Sequence, residues 1–156
     1  MKKLALSAIL VGFSSLYAFD TNIYVGASAS KVGDRHYSSV GVGYSATTGF
    51  GNGFLFGFGN SFNYGKIDDR GVYTLDADAK IGYQFMPELR AYLIGTGVIQ
   101  KYRSDEYAGF GYGASAEYRL SSNTVLEGSY KTTRMHRSGG NSYDYDTYNL
   151  AIKFAY

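Results

Sequence analysis

Between residues 73 and 85 every second side chain is apolar. Tyr73, Leu75, Ala77, Ala79, Ile81, Tyr83 and Phe85 alternate with Thr74, Asp76, Asp78, Lys80, Gly82 and Gln84. Successive side chains of an extended strand point to opposite faces. This run is therefore a strand with one wholly apolar face and one face carrying three charges. A helix needs apolar residues three and four apart, and no such period appears along residues 19–156.

The same alternation recurs along the chain. Phe110, Tyr112, Ala114, Ala116, Tyr118 and Leu120 oppose Gly111, Gly113, Ser115, Glu117 and Arg119. Tyr148, Leu150, Ile152, Phe154 and Tyr156 oppose Asn149, Ala151, Lys153 and Ala155. Weaker runs occupy residues 22–30, 38–46, 53–64 and 124–134. The stretch 89–101 is apolar on both faces; the charge of Arg90 turns that residue inward, and a bulge further along would swap the faces. Eight strands result, separated by turn-rich segments at 31–36, 47–51, 65–70, 86–88, 102–107, 121–123 and 135–144. Such short links suit consecutive antiparallel hairpins. The single proline, Pro87, falls in a turn, where its missing donor costs nothing.

Composition removes whole classes. The absence of cysteine excludes a disulfide scaffold, a thiolate metal site and a cysteine nucleophile. Aromatic content of 17% argues against disorder. Lys2 and Lys3 account for the formal net charge of +2, so the rest of the chain is neutral and carries no electrostatic footprint for nucleic acid.

Residues 1–18 have the three parts of a secretory signal peptide: two lysines, an apolar stretch from Leu4 to about Phe13, and small residues leading to Ala18. The apolar run is too short to span a bilayer, which takes about 20 residues. Cleavage after Ala18 leaves a mature chain of residues 19–156 that exits the cytoplasm, although Leu16 is large for a position so near the cut.

The aromatics say what lies outside the strands. In the run from Tyr73 the rings sit at both ends, with Leu75, Ala77, Ala79 and Ile81 between them; the runs from Phe110 and Tyr148 repeat this order. Tyrosine favours a lipid–water boundary, and two aromatic girdles around an aliphatic band mark the lipid face of a membrane barrel. Asp76, Asp78, Lys80, Arg90, Glu117, Arg119, Glu127, Lys131 and Lys153 then share the inner face. The alternative is a soluble barrel with a closed Tyr/Phe interior and these charges outside.

The final strand, with Tyr148, Leu150, Ile152, Phe154 and Tyr156 at alternate positions, resembles the assembly signal of outer-membrane β-barrel proteins. Together with the signal peptide and eight runs, the whole mature chain resembles the small eight-stranded outer-membrane barrels, the group of OmpX and the OmpA membrane domain. The resemblance implies an all-β, up-and-down, antiparallel transmembrane barrel with both termini periplasmic. It also implies contacts with the assembly machinery, with outer-membrane lipid and with lipopolysaccharide. The barrel is expected to be a monomer without cofactor. An eight-stranded interior is just wide enough for side chains to fill. The nine inner charges are therefore expected to pair and plug the lumen, with Arg119 bridging to Glu127. A narrow porin is the alternative.

Some small outer-membrane barrels are lipid-modifying enzymes, and the lipid A deacylase group uses a His-x-Ser pair. His136 and Ser138 have that spacing, which offers a base and a nucleophile. However, Gly139 and Gly140 follow, and no glutamate lies beyond Glu127 to orient the histidine. The expectation is therefore no catalytic residue. His36, His136 and Asp34 are the only weak candidates for a metal, and none is assigned. Non-enzymatic structural and surface roles are expected.

Overall fold

The computed structural model describes residues 19–102, 105–137, 140 and 142–155. Residues 1–18, read from the sequence as a signal peptide, and Arg103, Ser138 and Tyr156 lie outside the described residues. Eight strands follow one another: β1 (Asp20–Val32), β2 (Arg35–Gly49), β3 (Phe54–Ile67), β4 (Arg70–Gln84), β5 (Leu89–Tyr102), β6 (Asp105–Arg119), β7 (Thr124–Arg137) and β8 (Ser142–Ala155). Each pairs with its sequence neighbours, and β1 pairs antiparallel with β8, closing the sheet into a barrel. Closure leaves no strand edge with unpaired backbone groups.

The strands are longer than the alternating apolar runs. Lys31 pairs with His36 and Val32 with Arg35, so only Gly33 and Asp34 remain as the first turn. Ile67 pairs with Arg70 around Asp68 and Asp69, which have φ of 49° and 61°. Two left-handed residues in a two-residue loop make a hairpin turn whose twist matches the strands it joins. The polar composition of 31–36, 65–70, 102–107 and 135–144 reads as loop in the sequence, yet the ladders continue through most of it. A bilayer takes about 9–11 tilted residues per strand. The strands, at 13–15 residues, run beyond that length as paired ribbon. The four-residue links at 50–53, 85–88 and 120–123 lie at the end that also carries residues 19 and 155.

In β5 the register runs unbroken from Gln84↔Arg90 to Val72↔Tyr102. Arg90, Tyr92, Ile94, Thr96, Val98 and Gln100 face inward, while Ala91, Leu93, Gly95, Gly97 and Ile99 face outward. The apolar inward residues Ile94 and Val98 are what blur the alternation in sequence.

The barrel is apolar outside and polar inside. Leu93 is 72% exposed and Phe110 85%, whereas Lys153 is 2% exposed. Rings cluster along the outer face: Phe54 stacks edge-on to Tyr83, Tyr83 to Phe85, and Tyr130 packs on Tyr148. Within the middle of this band one amide interrupts the apolar surface. Asn60 lies outward between Phe58 and Phe62, beside Ala77 of β4.

Candidate functional site: the charged lumen

Strand alternation delivers polar side chains from all eight strands to the interior, where they sort into tiers. At the mouth beside residues 19 and 155, Arg90 Nη2 lies 3.3 Å from Asp20 Oδ2. Arg119 lines the same mouth, a cavity of about 180 Å³ shared with Asn22, Ser122 and Lys153.

One step inward, Glu117 and Glu127 are direct register partners on β6 and β7. Lys153 reaches both: its Nζ is 2.6 Å from Glu117 Oε1 and also contacts Glu127 Oε2. Lys80, from the far wall, donates to Glu127 Oε1 at 2.5 Å. The hydroxyl of Tyr92 donates to Glu117 Oε2 at 3.1 Å. Two rings back the cations. Lys153 Nζ sits 5.6 Å from the Tyr24 ring centre, and Lys80 Nζ sits 5.7 Å from that of Tyr92. Both distances lie within cation–π range. Small residues make room for these rings: a Cβ on Gly43 would lie 2.3 Å from Cζ of Tyr24.

The next tier belongs to Lys131. Its Nζ donates to Asp76 Oδ2 at 3.0 Å and to both oxygens of Asp78 at 3.3 Å. Ser61 and Asn63 also donate to Asp76 Oδ2, at 3.2 and 3.4 Å. A cavity of about 30 Å³ lies at this level.

Above it the polarity is neutral and then apolar. Gln100 Nε2 donates to the Tyr37 hydroxyl at 3.0 Å and to Thr74 Oγ1 at 3.1 Å, and Tyr143 donates to Gln100 Oε1 at 2.6 Å. Tyr37, Ile67, Val72, Val98, Met135 and Tyr145 then pack across the lumen, with Val32, Tyr102, Tyr107 and Tyr143 against them. This cap is a conventional small core at one end of the barrel.

All nine inner charges anticipated from the sequence face the lumen. Asp76, Lys80, Glu117, Glu127, Lys131 and Lys153 are buried, while Asp78, Arg90 and Arg119 are half-buried. The pairing differs from the expectation at one point. Arg119 does not bridge to Glu127, which binds Lys80 and Lys153 instead. The register explains this. Arg119 lies opposite Val125, nearer the mouth, while Glu117 occupies the place opposite Glu127.

Asp20 and the capping tyrosines escaped the sequence reading. Asp20 precedes the alternating run, and the cap residues lie in segments that read as turns. Hydrophobic residues at the inward positions of those segments are the signal that marks them.

His136 points outward and is exposed, opposite Ser142 of β8; Ser138 lies outside the described residues. His36 is exposed on β2, and β1 and β8 separate that strand from β7. Of the residues named as a terminal assembly signal, Tyr148, Leu150, Ile152 and Phe154 are exposed on the outer face of β8. Among the described residues no group of three or more His, Asp or Glu side chains is gathered as a metal site.

No family model and no curated protein sequence matches the chain. Solved structures do. The crystal structure of Ail, the attachment invasion locus protein of Yersinia pestis, superposes with a TM-score of 0.63 and 14% identity, over 88% of this chain and 99% of that one. Neisserial surface protein A gives 0.62 and 11%, over 88% and 97%. DynF from the dynemicin biosynthesis pathway of Micromonospora chersina gives 0.61 and 11%, over 89% and 81%. At these identities the likeness is one of fold. The chain has the fold of the small eight-stranded outer-membrane barrels.

Proposed function

We propose that this protein is a non-enzymatic integral barrel of the bacterial outer membrane, its lumen closed by paired charges, with a role in membrane structure and surface contacts. The observation that carries this reading is the polarity of the wall. Leu75, Ile81, Leu93, Ile99, Leu150 and Ile152 are all at least two-fifths exposed on the outside. Monomeric soluble proteins rarely expose a continuous apolar patch beyond a few hundred Å². A band of this kind around the whole circumference suits acyl chains. Because DynF shares the fold, the reading rests on this surface and its girdles and not on the fold.

The lumen supports a plug. Lys80, Lys131 and Lys153 each span to a carboxylate on another strand, and the cap closes one end. Both termini are periplasmic in this reading, which puts the two-residue turns outside the cell. Lys31, Lys66, Arg70 and Arg134 at that end suit lipopolysaccharide phosphates. The aromatic terminal strand suits the outer-membrane assembly machinery. The barrel acts as a monomer.

Expression of the full chain tests the reading. The protein is expected in outer-membrane fractions, with lipid A of unchanged mass in cells that carry it. Recovery in a soluble fraction overturns the membrane reading, and a loss of acyl chains from lipid A overturns the non-enzymatic one.

A further inference from the structure

The outer wall carries a groove. Ala27 and Ala29 of β1 and Ser38 of β2 are small outward residues lying together, because Ala29 pairs with Ser38 and Ala27 with Val40. Larger side chains rise on both flanks: Tyr148 and Leu150 of β8 on one, Tyr64 of β3 on the other. Each flanking ring is held from behind. Tyr148 packs on Tyr130 with ring centres 4.8 Å apart, and Tyr64 packs on Tyr73 at 5.1 Å. The hollow between them has about 900 Å³ and continues into a second of about 570 Å³. Ala27, Val40, Tyr64 and Leu150 belong to both, so the groove is continuous.

Charge gives the groove a head end. At the end of the barrel away from residues 19 and 155, Lys31, Lys66, Lys101 and Arg134 face outward. Lys31 lies opposite Asp146, Lys101 lies opposite Glu106, and Arg134 binds Asp144 at 2.8 Å. Lys66 instead lies opposite Gly71 and forms no ion pair among the described residues. Among the described residues it is also the only charged one lining either hollow. The lining therefore offers an uncancelled ammonium at one end, an apolar channel behind it and no carboxylate. That polarity matches a molecule with an anionic head and hydrocarbon chains. A lysine ammonium is a point charge that suits phosphate.

We propose that this groove seats one lipid A molecule, with a phosphate on the Lys66 ammonium and acyl chains along Ala29, Ala27 and Val25. The inference rests on the outer-membrane reading above, which puts the Lys66 end outside the cell, in the leaflet built of lipopolysaccharide. It narrows the contact proposed there from scattered cations to one sector of the wall. The second hollow spreads over β1, β2, β3, β7 and β8. That breadth suits lipid A, which carries more chains than a phospholipid. The pinned rings and the strand floor are in place before the lipid arrives, which keeps the ordering cost of binding low.

Native mass spectrometry of the full mature barrel, released from phosphatidylcholine nanodiscs doped equally with lipid A and phosphatidylglycerol, tests the site. The wild type is expected to retain a single lipid A. Lys66→Gln is expected to weaken retention about fivefold, the worth of one lysine near an anionic lipid surface. Ala27→Phe fills the floor with an apolar ring, leaves the wall apolar and is expected to abolish retention. Lys101→Gln, outside the groove, is expected to leave it unchanged. A folded wild-type barrel that retains no lipid A overturns the site alone, as does undiminished retention by Ala27→Phe. Phosphatidylglycerol held as tightly as lipid A overturns the assignment to lipid A. A chain that does not fold into the nanodiscs at all overturns the membrane reading and the site with it.

Discussion

Glu117 and Glu127 face each other across the β6–β7 ladder, and the ammonium of Lys153 binds both. Like charges directly opposite on one sheet face destabilise the pair. Here a third strand supplies the cation that reverses the sign. Lys153 is therefore the clasp between β6, β7 and β8.

Replacing Lys153 by Met keeps the side chain's length and removes the clasp. Two facing carboxylates then remain in the lumen, Glu127 with Lys80 and Glu117 with only the neutral hydroxyl of Tyr92 among the contacts described. Breaking a buried ion pair from one side costs about 3–5 kcal/mol, and urea unfolding in vesicles is expected to show a loss of that order. Adding Glu117→Gln to Lys153→Met is expected to recover part of it. No recovery would mean that packing, and not charge, is what Lys153 contributes.

A double-mutant cycle separates the partners of Glu127. Lys80→Ala and Glu127→Ala remove the two ends of one 2.5 Å contact, so their effects are expected to be strongly non-additive. Arg119→Ala and Glu127→Ala share no partner and are expected to add within about 0.5 kcal/mol. Coupling in the second pair and none in the first would reverse the pairing described.

Those pairings show how far a sequence of this kind can be read. The faces of β4, β6 and β8 are legible because an apolar outside and a charged inside impose a strict period of two. The partners are not, because they depend on register. Whether Arg119 or Glu117 faces Glu127 is decided by a shift of two residues along one ladder, which leaves every side chain on its own face. The cap escaped for the opposite reason. Tyr37, Met135 and Tyr145 obey the same alternation with the polarity inverted, at the one end of the barrel where the interior is apolar.

The outer face makes two predictions of opposite sign. Ala79 lies outward between Ala77 and Ile81, and Ala79→Arg near the midplane is expected to cost about 2–4 kcal/mol in bilayers. Asp78→Asn, one residue away and facing in, is expected to cost less. Asn60 presents an amide to the same band, and moving an amide from water into an apolar surrounding costs about 1–3 kcal/mol. Asn60→Leu is therefore expected to stabilise the barrel in lipid. Ready folding of Ala79→Arg into vesicles would show that the face assignment is reversed.

Removing the cap does not open the barrel if the charge tiers close it independently. Tyr37→Ala combined with Tyr145→Ala is expected to lower thermal stability through the cavity it leaves, by about 3 kcal/mol or more. The barrel is expected to stay closed to ions, because Lys131 and Lys153 still cross the lumen below. Ion passage in this variant but not in the wild type would make the cap the seal.

The most direct test of the closed lumen is planar-bilayer recording from the purified wild-type protein. The lysine–carboxylate pairs crossing the interior predict no steady conductance at any holding potential that the bilayer tolerates. A steady, large and ion-selective conductance would contradict the account and make the protein a narrow porin.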